Sequence, residues 1–268
     1  MELPTKRSEV ESYDPDLMLI YARPKQGKSS FCAALDDNLI IDLEDGYRSL
    51  SVMKIQARSY NDLVEIRKLV VKKGIDDGCT KENHKKPYRF ITIDNASRLE
   101  EYCLARAAEL YRETPMGKNF GKIKENGILT DKIDPKADVR TLPNGAGYQY
   151  LRAAVMDSVR MFKPLCNTLI LVAHVREKQI NKDSEEMTEM SLDLNGKTGD
   201  IICGEADAIG YMFRRGNQTI MSFKGGDNII REARPLHLRN REFVVIESDE
   251  SGKLTINTKE IFPDDKKQ

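Results

Sequence analysis

The chain has 268 residues, and its 43 lysines and arginines are balanced by 43 aspartates and glutamates, so the formal net charge is zero. That balance excludes a globally basic nucleic-acid binder and confines any polyanion site to a local patch. With 40% hydrophobic and 32% charged residues, the composition is that of a soluble globular chain able to bury one large core.

Residues 1–15 are polar and read as a flexible lead-in with no apolar signal segment. DLMLIYA (16–22) is a short apolar run before a turn and predicts a buried strand. KSSFCAAL (28–35) predicts a helix with Phe31, Ala34 and Leu35 on one side. NLIIDLE (38–44) is a second buried strand, and VMKIQA (52–57) a third. YNDLVEIRKLVVKK (60–73) sets Leu63, Ile66 and Val70 at helical spacing. YRFITIDN (88–95) is a strand ending in polar residues. The next helix, 97–113, has Ser97 as its expected N-cap and Glu100 at the capping-box position.

Residues 114–147 are dense in glycine and proline and too long for a plain connector, so they read as a functional loop or insertion. A helix over 148–163 and a strand over 167–174 follow. Residues 175–204 again lose periodicity. ADAIGYMFRR, QTIMSFKG and EFVVIES then read as successive strands, joined through the turns RRGN and KGGDN. Strands alternating with helices, and apolar throughout, predict an α/β fold with a mainly parallel central sheet and helices on both faces. Antiparallel strands extend it near the C-terminus. The expected organisation is one domain over 16–250, with 112–147 and 175–204 as long functional loops and 251–268 as a tail.

The longest apolar stretches, such as TLILVA, are of strand length and too short to cross a bilayer. Five cysteines stand singly and three histidines lie far apart, which argues against a zinc site and for reduced thiols in a cytoplasm.

The chemistry gathers at strand ends. ARPKQGKSS (Ala22, Arg23, Pro24, Lys25, Gln26, Gly27, Lys28, Ser29, Ser30) sits between a strand and a helix and has the form of a phosphate-binding loop. Consecutive backbone N–H groups there face the phosphates, and the helix dipole favours the negative charge. Ala22 occupies the place usually held by glycine, where small size is the main need. Gly27 is expected to let phosphate approach closely. Lys28 reaches the β- and γ-phosphates, and Ser29 offers a hydroxyl to Mg²⁺. Asp94 closes FITID, where a carboxylate holds Mg²⁺ through water. Glu44 closes LIIDLE and suits a general base for the attacking water, better than the deeper Asp42. His174 closes TLILVAH and can hydrogen-bond the γ-phosphate. Asn95, beside Asp94, can help position water or metal.

In this order and spacing, ARPKQGKSS, IIDLEDGYRSL, FITIDNASRL, TLILVAHVREK and LNGKTGDIICGEADAIGYM resemble the RecA-like P-loop ATPase core. The resemblance is to its compact phage-encoded form, of the AAA-type or single-strand annealing ATPases, and runs from about residue 16 to 245. It implies an ATPase using ATP and Mg²⁺, with Glu44 as catalytic glutamate and His174 as γ-phosphate sensor. It implies DNA loops within 112–147 and 175–199, single-stranded DNA as partner, and self-association into a filament or ring in a host-cell cytoplasm. A basic residue from a neighbouring copy, among Lys224, Arg231 and Arg234, would complete each site. In the first loop, Phe120 and Tyr148 would stack on bases. The second loop sets Arg176, Lys178, Lys182 and Lys197 against Glu177, Asp183, Glu185, Glu186, Glu189 and Asp193 and is net negative. The alternatives are an ATPase of this fold directed at a protein, a helicase-like motor, or a nucleotide switch without turnover.

Overall fold

A computed structural model describes residues 13–182, 185–226 and 228–263. Most of the expected lead-in, the last tail residues, Asp183 and the side chains of Lys182, Glu185 and Glu186 fall outside what is described. The chain begins with β1 (Leu17–Ala22), α1 (Lys28–Ala33), β2 (Asn38–Asp42), β3 (Met53–Gln56), α2 (Tyr60–Asp76) and β4 (Tyr88–Asp94). Next come α3 (Ala96–Arg112), β5 (Lys122–Glu125), β6 (Ile128–Ile133), α4 (Tyr148–Phe162) and β7 (Cys166–Lys182). It ends with β8 (Glu185–Leu192), α5 (Thr198–Glu205), β9 (Ala208–Arg215), β10 (Gln218–Ser222), β11 (Glu232–Ala233), β12 (Glu242–Ser248) and β13 (Leu254–Ile256).

The main sheet has eleven strands, with the path β13-β12-β10-β9-β1-β7-β4-β2-β3. From β9 to β3 the pairings are parallel, and from β9 outward through β10, β12 and β13 they are antiparallel. The expected α/β fold is therefore the one found. β7 separates β1 from β4, so the phosphate-loop strand and the Asp94 strand flank the strand carrying His174.

β1 is apolar at every position, and β2, β4 and β7 are mostly apolar through their middles, because both faces are covered. Leu17, Leu19 and Tyr21 pack with Ile41, Ile93 and Leu171 beneath Leu63, Leu99 and Val155 of α2, α3 and α4. Met18, Ile20 and Ala22 face the other way, onto Phe31 of α1 and a second cluster holding Leu238, Ile261 and Phe262. That second face is thus closed partly by α1 and partly by C-terminal chain. Burying a side chain the size of Ile or Phe contributes about 1.5–3 kcal/mol. The buried Ile261 and Phe262, with β13, carry the core past residue 250.

Three local expectations are corrected. Residues 175–192 are not aperiodic loop. β7 continues past His174 to Lys182 and pairs antiparallel with β8, forming a two-stranded arm. Its strand pattern was hidden because 176–179 are exposed on both faces, so polar residues replace the apolar alternation. The helix α3 is capped by Asn95, whose side chain accepts from the Arg98 amide at 2.9 Å. Ser97 instead donates to the Asp193 carbonyl at 2.7 Å, and Glu100 accepts from the Asn195 amide and side chain at 3.0 and 2.7 Å. Both residues fasten the foot of the arm to α3. Within 114–147 lies the β5–β6 hairpin, and Phe120 and Tyr148 are partly buried against the core, not presented for stacking.

Candidate nucleotide-binding site

The loop between β1 and α1 opens a cavity of about 320 Å³ at the carboxyl ends of the parallel strands. Pro24, Lys25, Gly27, Lys28, Ser29 and Ser30 line it, together with Glu44, Asp94 and His174. Of the loop residues named from sequence, Ala22, Arg23 and Gln26 are not in that lining. Ala22 is fully buried at the end of β1, so its methyl fills core space. Arg23 turns away and donates to Glu177 of the arm at 2.7 Å.

Gly27 caps α1 in the left-handed region, at φ 92°. A β-carbon there would sit 2.6 Å from Cδ1 of Ile246. The left-handed backbone favours glycine, and a β-carbon there would also have to displace the end of the Ile246 side chain on β12. Lys28 is buried, and its Nζ donates to the carbonyls of Ala22 and Arg23 at 3.1 and 3.3 Å. Burial lowers its pKa, while nearby Asp94 draws it back up. The charged amine is thus held at the loop mouth on carbonyl oxygens that a phosphate can replace.

Ser29 Oγ donates to Asp94 Oδ2 at 3.3 Å, so the two expected metal ligands meet. Tyr47, which sequence reasoning missed, donates to the same oxygen at 2.7 Å from a buried position. It lies in an irregular turn with no periodic signal. Burial pushes the Asp94 carboxyl above the usual carboxylate range, opposed by the Tyr47 hydrogen bond and by Lys28. Burial likewise holds the Tyr47 phenol above its ordinary value, so it stays a donor.

Asp42 is buried directly beside Asp94, its register partner on β4. Its Oδ1 accepts from the amides of Glu44 and Gly46 at 3.2 and 3.1 Å, and Lys54 lies 3.6 Å from Oδ2. Asp42 therefore shapes the turn that carries Glu44 to the cavity. Glu44 Oε2 is 3.8 Å from His174 Nε2, and Arg98 Nε is 4.0 Å from Oε1. Asn95 Nδ2 lies 3.0 Å from His174 Nε2. Because Asn95 Oδ1 is committed to the Arg98 amide, its NH₂ faces the histidine. The other ring nitrogen, Nδ1, is buried with no hydrogen-bond partner among the described residues.

Of the candidate trans-acting residues, Arg234 is held by Asp207 at 3.0 Å and by the Gly204 carbonyl at 2.9 Å. Lys224 lies 3.9 Å from Glu242, and Arg231 Nε is buried without a hydrogen bond. Among the described residues no cluster of three metal-binding side chains exists. No described helix is long and apolar enough to cross a membrane.

A parallel sheet with the phosphate loop on β1 and, two strands away, a carboxylate at the end of β4 is the architecture of a P-loop ATPase. A family model described as "AAA domain" matches residues 15–234, and the chain belongs to that family. Among solved structures it is similar to the crystal structure of the RadB recombinase, at 9% identity, 90% coverage of each chain and a TM-score of 0.42. No curated protein matches the chain.

Proposed function

We propose that this protein hydrolyses ATP with Mg²⁺ and couples turnover to single-stranded DNA in phage recombination, annealing, replication or repair, working as a filament or ring. The observation that carries the reading is the Glu44–His174 contact of 3.8 Å on β7, the strand that continues outward as the arm. The candidate general base and the candidate sensor thus touch at the root of a long projection.

Ser29 and Asp94 suit Mg²⁺, which takes few protein ligands and keeps waters and phosphate oxygens as the rest. When bound there, the ion would supply charge neutralisation to the phosphates. Lys28 then binds the same phosphates, and Glu44 orients and deprotonates the attacking water. His174 presents Nε2 beside Asn95 and Glu44, where it can meet the γ-phosphate. On the DNA side, Arg176 is paired with Asp193, Lys122 with Asp131 and Lys132 with Glu125, which leaves Lys118, Lys124 and Lys136 exposed for phosphate contacts.

A protein-directed ATPase is the second reading. It is favoured by Met116 and Ile128 near and on the β5–β6 hairpin, which are 89% and 72% exposed. Phosphate release from Mg-ATP, with and without single-stranded DNA, separates the two, with Lys28→Ala as blank. DNA stimulation absent from the blank supports the first reading, and DNA-indifferent turnover the second. Glu44→Gln is expected to lower turnover by about 10²–10⁴-fold with ATP binding kept. Unchanged turnover in Glu44→Gln would remove Glu44 from the chemistry.

A further inference from the structure

A row of side chains crosses the C-terminal strands against the phosphate loop. Arg214 on β9 is in register with Thr219 on β10, and Thr219 with Ile246 on β12. Ile246 packs at Gly27, where Thr219 Oγ1 also comes within 3.9 Å of the β-carbon position. Arg214, Thr219, Ile246 and Leu254 of β13 line the same cavity as Lys28 and Asp94. They line it from the β9 side of β1, whereas Glu44 and His174 stand on the β7 and β2 side. A nucleotide whose terminal phosphate faces Glu44 and His174 turns its nucleoside toward this wall, a placement that rests on the function proposed above.

Arg214 differs from its neighbour. Arg215 lies 3.6 Å from Glu242 and over the Phe213 ring at 5.6 Å. Arg214 is exposed, and among the described residues its side chain has no hydrogen-bond or ion-pair partner. The lining holds two further cations, Lys28, already held by two loop carbonyls, and Lys25, whose ammonium lacks the planar face of a guanidinium. An unengaged guanidinium beside two aliphatic side chains suits a flat heteroaromatic ring. It stacks on the ring and donates to its nitrogens or carbonyl, while the aliphatic groups exclude water.

We propose that Arg214, Thr219, Ile246 and Leu254 form the nucleobase subsite, with Arg214 holding the base. The sequence hid this, because RRGN reads as a turn and nothing in it distinguishes Arg214 from Arg215.

The test is equilibrium binding of Mg-ATP and of inorganic tripolyphosphate to the full chain, in wild type, Arg214→Ala, Arg214→Lys and Lys28→Ala. Arg214→Ala is expected to weaken ATP by about ten-fold while tripolyphosphate affinity stays unchanged. Arg214→Lys is expected to recover little of the loss, since it lacks the planar group. Lys28→Ala weakens both ligands. Equal losses for both ligands in Arg214→Ala would place Arg214 on the phosphates and overturn the assignment, as would an unchanged ATP affinity. Wild type that binds neither ligand would overturn the proposed function and this subsite together. Wild-type binding lost in Lys28→Ala but intact in Arg214→Ala would overturn the subsite alone.

Discussion

Tyr47 donates its phenol hydrogen to Asp94 Oδ2 at 2.7 Å, and Ser29 reaches the same oxygen at 3.3 Å. The proposed metal carboxylate is therefore held by a buried tyrosine on one side and by the phosphate loop on the other. Tyr47→Phe removes one donor from a buried acid and is expected to reduce stability by about 1–3 kcal/mol. The lost bond had lowered the Asp94 pKa, so the variant's pKa rises further. Since Mg²⁺ needs the carboxylate, the pH midpoint of Mg-ATP binding should move upward. A binding titration across pH checks this, and an unmoved midpoint would detach Tyr47 from the site.

Asp94→Asn tests the same burial from the other side. Burial raises the Asp94 pKa in the fold, so the folded chain binds that proton more tightly than the unfolded one. The associated stability is present below the ordinary carboxylate value and is lost as pH rises through the raised one. Asparagine keeps an acceptor for Tyr47 and carries no charge. The ligand-free variant should therefore melt higher than wild type near neutral pH, with the gap closing in acid. Turnover should fall by about 10²-fold or more as metal binding is lost. Thermal melts at two pH values and a phosphate-release assay read both effects.

Arg23 and Glu177 join the phosphate loop to the arm at 2.7 Å, with side chains 56% and 41% exposed. An exposed pair of this kind stabilises by about 0.2–1 kcal/mol. Arg23→Glu or Glu177→Arg should therefore leave the melting curve nearly unchanged. Each is expected to reduce the ratio of DNA-stimulated to basal turnover, and the double exchange to restore it. Single variants that keep the wild-type ratio would make the contact a surface pair only.

Gly27→Ala meets two obstacles, a left-handed backbone and Cδ1 of Ile246 at 2.6 Å. The backbone term is about 1–2 kcal/mol and stays whatever the neighbour. Adding Ile246→Ala should recover the steric part alone. A stability cycle on the two single variants and the double measures that coupling, and strict additivity would show that β12 does not constrain the loop.

Much of the sheet was legible because apolar runs bounded by turns mark buried strands, as in LMLIYA and TLILVA. The loop from Gly27 to Ser29 and the strand-end Asp94 were legible because their chemistry requires those residue types next to one another. Asn95 was noticed but not as the cap of α3, since Ser97 and Glu100 mimic a capping box two residues downstream. The arm was hidden by polarity on both faces. Tyr47 and Arg214 were hidden for another reason: each matters through a partner distant in sequence, or through having none, and neither is visible along a chain.

The unbroken run of β7 from His174 to Lys182 roots the arm at the candidate nucleotide cavity. At about 3.3 Å per residue its end stands roughly 26 Å from His174. A rotation of about 10° at the root would sweep that end through about 4–5 Å, more than the ~3.4 Å rise between stacked nucleotides of one strand. On the function proposed above, small adjustments around Glu44 and Asn95 would reach the tip of the arm as displacements on the scale of a single nucleotide step.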